Sequence, residues 1–183
     1  DVCSSDLIAN FRGAEEALAF EEIDYLGFPF SVSEEFQKRN TNSTIEESLK
    51  TVEQIWNICQ QNKKQLVVYI SMGFGNPYGD KWNSDIVMQW TERLVNLGVK
   101  IISLADTVGV AKPDDISNLY KHLIPEFPSV EFGGHFHTKP NEWKEKIKGK
   151  KVKETKRKKM KKRKGKEKRK GKGKNQKEKK GKK

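Results

Sequence analysis

Runs of β-branched and aromatic residues recur along this chain. Each run leads into a loop of glycine, proline or small polar residues, and then into a stretch whose apolar positions repeat at helical spacing. Residues 66–73, LVVYISMG, read as a strand entering the glycine-proline loop GFGNPYGD. Asn83-Ser84-Asp85 can cap a helix whose Ile86, Val87, Trp90, Leu94 and Leu97 share one face, and Gly98 stops it before the apolar run 99–104. The loop DTVGVAKP then precedes a helix over 114–123, with Ile116, Leu119, Tyr120 and Leu123 turned inward, and a strand over 130–136. Upstream, residues 23–30 read as a strand, and 44–61 as a helix opened by the capping-box pattern Thr44-Ile45-Glu46-Glu47.

Strands separated by about thirty residues of loop and helix imply right-handed βαβ units and a parallel sheet. Such a sheet belongs either to a doubly wound fold or to part of a barrel, and loop chemistry separates the two. No glycine-rich phosphate turn follows any predicted strand, whereas Ser71, Asn76, Asp106, His135 and His137 recur just past strand ends. Barrels of this kind carry their sites there, so the expected class is α/β, a partial (β/α)8 TIM barrel.

Charge divides the chain. The whole carries +12, but residues 144–183 hold 25 Lys+Arg and four Asp+Glu, leaving 12 Lys+Arg against 21 Asp+Glu for residues 1–143. The body is therefore acidic, and the basic character belongs to the tail. From residue 148 onward the chain uses almost only Lys, Arg, Gly and Glu without an apolar period, which predicts a disordered segment or a solvated helix. A polycation arm for nucleic acid or an anionic surface is the functional alternative for this tail. It lacks interleaved aromatics for stacking, and its dominant residues all have purine-only codons, which favours a low-complexity or mis-assembled reading. Residues 1–7, DVCSSDL, match the translated end of a common short-read sequencing adapter, so this heptapeptide is expected to be a library artefact. The expected organisation is thus 1–7 artefact, 8–147 barrel segment, 148–183 basic tail. Cys3 and Cys59 are too few for a disulfide framework, and Cys59, inside a predicted helix, reads as packing. With no secretion signal and no apolar run of membrane-spanning length, a cytoplasmic, soluble protein is expected.

The sharpest chemical feature is VEFGGHFHTKP, residues 130–140. Alternate residues of a strand point the same way, so His135 and His137 can reach one metal ion from a single strand end. Without further context, one such histidine would pack and the other face water about as often.

Taken in order, YLGFPFSVSEEFQKRNTNSTIEESL, VVYISMGFGNPYGD, IISLADTVGVAKP and VEFGGHFHTKP closely resemble the hydroxymethylglutaryl-CoA lyase family, metal-dependent barrels related to the isopropylmalate and homocitrate synthases. The resemblance spans about residues 8–147 and implies a (β/α)8 barrel of which these strands are about the third to the sixth. It implies that His135 and His137 ligate a divalent cation, Mg or Mn, and that His135 belongs to the catalytic centre. Asp106 is implied to position or deprotonate the substrate hydroxyl. Asn40, Tyr69, Ser103 and Asn76 are implied to lie near an acyl-CoA substrate. The implied reaction is retro-Claisen cleavage of 3-hydroxy-3-methylglutaryl-CoA to acetyl-CoA and acetoacetate, in leucine catabolism, by a full-length protein of homodimeric type.

A complete member of that family begins with a strand bearing an arginine and a metal-binding aspartate, and ends with a glycine-rich loop bearing a catalytic cysteine and then an asparagine ligand. None of these matches a position here, so this polypeptide alone is expected to be inactive and prone to aggregate. Within the family the alternative is a synthase condensing acetyl-CoA with a 2-oxo acid. GFPFSVSEEF and GNPYGDKW are lyase-like. Outside it, the alternative is a nucleic-acid binder acting through the tail alone.

Overall fold

A computed structural model describes residues 5–141 and 143–151. Five strands, β1 (Ser5–Leu7), β2 (Tyr25–Ser31), β3 (Gln65–Ser71), β4 (Ile101–Asp106) and β5 (Glu131–Phe136), form one sheet in sequential order, and every neighbouring pair is parallel. The crossovers carry α1 (Phe11–Ala17), α2 (Glu34–Thr41) with α3 (Ile45–Gln61), α4 (Ser84–Asn96) and α5 (Pro113–Glu126), and α6 (Trp143–Lys151) follows β5. This is the expected α/β barrel segment, with the four predicted strands present as β2 to β5.

Strand alternation sorts the sheet into two faces. Leu26, Phe28 and Phe30, Leu66, Val68 and Ile70, and Ile102 and Leu104 are all buried. They share the core with Val52 and Ile55 of α3, and with Val87 and Leu94 of α4 and Ile116, Leu119 and Leu123 of α5, these last five being residues placed on one face by helical periodicity. The opposite face carries a row of Pro29, Tyr69, Ser103 and Gly133 across four strands, and Ala105 pairs with His135 one step further along. Gly27 makes room on this face, because a Cβ there would lie 2.9 Å from Cε2 of Tyr69.

The caps act where the sequence places them. Thr44 and Glu47 form the capping box of α3, and the Asn83 side chain accepts from the Ile86 amide to open α4. Cys59 is fully buried in α3, and burial pushes its thiol up to about 11, which fits a packing role. β4 begins two residues later than the apolar run, because the Val99 amide still bonds Leu94 O in the turn that Gly98 makes at φ +103°.

Four elements have no clear counterpart in the sequence pattern. β1 is a short polar strand paired through its backbone, and α1 has only seven residues. α2, EEFQKRNT, holds a single large apolar side chain, and α6 falls among the tail lysines. Of the expected terminal segments, residues 1–4 and 152–183 lie outside the described residues, as does Cys3. Among the described residues no helix is long and apolar enough to cross a membrane.

Candidate metal and substrate site at the strand ends

The C-terminal ends of β3, β4 and β5 surround a cavity of about 270 Å³, open on one side. Tyr69 and Ser71 of β3, Ala105 and Thr107 at the end of β4, and His135 and His137 at the end of β5 line it, with Leu7 and Pro29 closing its apolar side. Both imidazoles are on the same side of their strand, as their i, i+2 spacing requires. Their Nε2 atoms lie 3.2 Å apart and their ring centroids 5.1 Å apart. Tyr69 meets the His135 ring edge-on, with centroids 6.2 Å apart.

The tautomer of His137 follows from its partner. Its Nδ1 lies 2.7 Å from the carbonyl oxygen of Thr107, which can only accept, so Nδ1 carries the hydrogen and the neutral ring presents the Nε2 lone pair to the cavity. Two nitrogens at metal–nitrogen distances near 2.1 Å and adjacent coordination angles stand roughly 3.0–3.4 Å apart, so the observed spacing fits two ligands of one cation. Among the described residues no group of three or more His, Cys, Asp or Glu is gathered. The two imidazoles are therefore a partial donor set, to be completed by oxygen from water, substrate or other protein segments.

The other residues singled out from sequence are placed unevenly. Ser103 is buried one register step below the cavity, between Tyr69 and Gly133. Asn40 is exposed in the last turn of α2 and does not line the cavity. Asn76 organises its own loop instead: its Oδ1 accepts from the amides of Tyr78 and Asp80, and its Nδ2 donates to Asp80 O.

Asp106 stands apart from the histidines. It occupies the strand position next to Ala105 and in register with Phe136, on the alternation opposite His135. Its carboxylate is fully buried; Oδ1 accepts from the Ala111 amide and Oδ2 from Nζ of Lys146 at 2.7 Å. The structure therefore does not bring this carboxylate into the cavity.

Ser71, already marked by its place at a strand end, follows Tyr69 by one strand alternation and lines the cavity. Two contributors carry no such mark. Thr107 acts through its carbonyl on His137 and through its hydroxyl, which accepts from the Met72 amide, and no side-chain pattern announces the first of these roles. Lys146 is hidden among the lysines that open the basic segment.

A parallel α/β sheet with a histidine pair at the carboxyl ends of its strands defines a barrel-type enzyme segment with a candidate cation site. The chain belongs to the HMGL-like family, whose model matches residues 7–140. It is 32% identical over 131 residues to the hydroxymethylglutaryl-CoA lyase YngG of Bacillus subtilis, covering 72% of this chain and 44% of that protein. It is 30% identical over 131 residues to the mitochondrial hydroxymethylglutaryl-CoA lyase of Homo sapiens, covering 40% of that protein. The crystal structure of the B. subtilis HMG-CoA lyase superposes with a TM-score of 0.72 at 29% identity, over 79% of this chain and 48% of that one. The carboxyl transferase domain of Rhizobium etli pyruvate carboxylase, 15% identical with a TM-score of 0.59, shares the fold. The chain thus spans less than half the length of the lyases it matches.

Proposed function

We propose that this chain is the middle portion of a divalent-cation-dependent carbon–carbon lyase acting on 3-hydroxy-3-methylglutaryl-CoA in leucine catabolism. The observation that carries the reading is the convergence of the His135 and His137 Nε2 atoms at the strand ends of a chain similar to lyases of that name. A bound Mg or Mn ion supplies the positive charge that lowers the pKa of the substrate's tertiary hydroxyl. His135 and His137 would hold that ion, and Thr107 holds His137 in the tautomer that leaves Nε2 free. Leu7, Pro29 and the ring of Tyr69 form the apolar part of the cavity lining. In the reaction the hydroxyl loses its proton and the adjacent C–C bond breaks, giving acetoacetate and the acetyl-CoA enolate, which takes up a proton. The cavity side chains that carry exchangeable hydrogens are the two imidazoles, the Tyr69 phenol and the Ser71 and Thr107 hydroxyls. An acyl-CoA substrate and a homodimeric, cytoplasmic full-length protein belong to the same proposal.

The test is product analysis on the full-length polypeptide that contains this segment, with Mn²⁺ present. Release of acetyl-CoA from the thioester supports the lyase. Consumption of acetyl-CoA with a 2-oxo acid would assign a synthase instead. The 183-residue chain by itself is expected to show no turnover, since relatives of this name are more than twice as long as their matched portion.

A further inference from the structure

Lys146 is a lysine among many in its stretch of sequence, yet its side chain is 7% exposed and all three of its N–H donors are used. One goes to Asp106 Oδ2 at 2.7 Å, one to the carbonyl of Gly109 at 2.9 Å, and one to the carbonyl of His137 at 2.9 Å. These acceptors belong to the end of β4, the loop after it, and the residue just past β5. We propose that Lys146 is a positioning residue for the histidine pair: with Asp106 it locks the loop 107–111 against the end of β5, so that the Thr107 carbonyl fixes the Nδ1 hydrogen of His137.

A continuous chain of contacts links Lys146 to the His137 ring. A buried carboxylate needs a countercharge, and Lys146, itself buried, supplies it. With Oδ2 so held, Oδ1 takes the Ala111 amide and fixes the far end of the loop. The near end is fixed by the Thr107 hydroxyl on the Met72 amide. Between these anchors the Thr107 carbonyl meets His137 Nδ1, while Lys146 holds the carbonyl of that same histidine. Both the backbone and the ring of His137 are thereby tied to one unit. This assigns Asp106 a positioning role through Lys146, in place of direct contact with substrate. Its relevance to catalysis rests on the cation site proposed above, but the geometry does not.

Two paired substitutions in the full chain separate the possibilities. Asp106→Asn with Lys146→Met removes both charges together, keeps an acceptor for the Ala111 amide and deletes the donors to Gly109 and His137. Asp106→Asn with Lys146→Gln returns a neutral donor at that position. Imidazole ¹⁵N–¹H correlation spectra at mildly alkaline pH read the tautomer of His137, which a merely structural role would leave unchanged in a folded variant. The parent is expected to show Nδ1–H only, the Met pair a mixture of tautomers, and the Gln pair a return toward the parent. Roughly tenfold weaker Mn²⁺ binding is expected in the Met pair. A folded Met pair that keeps the parental tautomer would overturn the proposal, as would failure of both pairs to fold, which would make the contact purely structural. If the parent shows the Nδ1–H tautomer but binds no Mn²⁺, the cation reading fails and the positioning of His137 by Lys146 stands.

Discussion

At the scale of single residues, polar side chains at the strand ends act mostly on backbone. Thr107 at the cavity and Asn76 in the loop after β3 both fix backbone, and Asp80 works in the same way at a greater sequence distance. Its Oδ2 accepts from the Ser33 hydroxyl at 2.6 Å and from the Glu35 amide at 3.0 Å, so the loop after β3 supplies an acceptor to the first turn of α2. The Ser33 hydrogen bond, followed by that of Glu35, holds the Asp80 carboxyl below the usual carboxylate range. A depressed folded-state pKa means that this stabilisation is fully present above the unfolded-state value, near 4, and is lost as the pH falls through the folded one. Asp80→Asn is therefore expected to cost about 1 kcal/mol at neutral pH. The gap between parent and variant should close on acidification. Urea unfolding at neutral and acid pH measures it, and a gap that widens in acid would contradict the assignment.

At the scale of elements, what could be read in the sequence was whatever rests on burial or on a cap. α4 and α5 bury a regular stripe against the sheet, so apolar spacing locates them, β3 is marked by its β-branched and aromatic run, and Thr44 and Asn83 mark where two of the helices begin. α2 has no such stripe. It is set by its Ser33 cap and by Asp80, a partner 47 residues from Ser33, and no local pattern records a contact of that range. The site divides likewise. The histidine pair was legible because strand alternation alone brings two rings together, whereas the placement of Asp106 depends on α6, whose lysine looks like tail. Asn40 is implied by resemblance alone and lies in the last turn of a helix that has no apolar period. The turn between α4 and β4 carries its own prediction. Gly98 has φ +103°, and a Cβ on it would stand 2.5 Å from Cζ2 of Trp56. Gly98→Ala is expected to cost about 1–3 kcal/mol, through left-handed backbone strain and displacement of the indole. A lowered urea midpoint at unchanged slope would show it.

At the scale of the whole molecule, two charge regimes share one chain. The sheet and the helices α1 to α5 lie in an acidic body, 12 Lys+Arg against 21 Asp+Glu over residues 1–143, followed by 25 Lys+Arg against four Asp+Glu. A polycation of that density displaces counterions from any polyanion, so the full chain should bind double-stranded DNA of arbitrary sequence at low salt. Such binding carries no base readout, because the electrostatic contribution is blind to sequence. If six or more phosphates are neutralised, affinity should fall by roughly a thousandfold or more between 50 and 200 mM salt. The same affinity and salt slope should transfer to residues 148–183 alone and disappear from a chain ending at residue 147. Fluorescence anisotropy with two unrelated duplexes across a salt series measures all of this. Retention of binding by the truncated chain, or a preference between duplexes that survives high salt, would place a nucleic-acid surface on the barrel segment itself and revive the binding-protein reading against the enzyme.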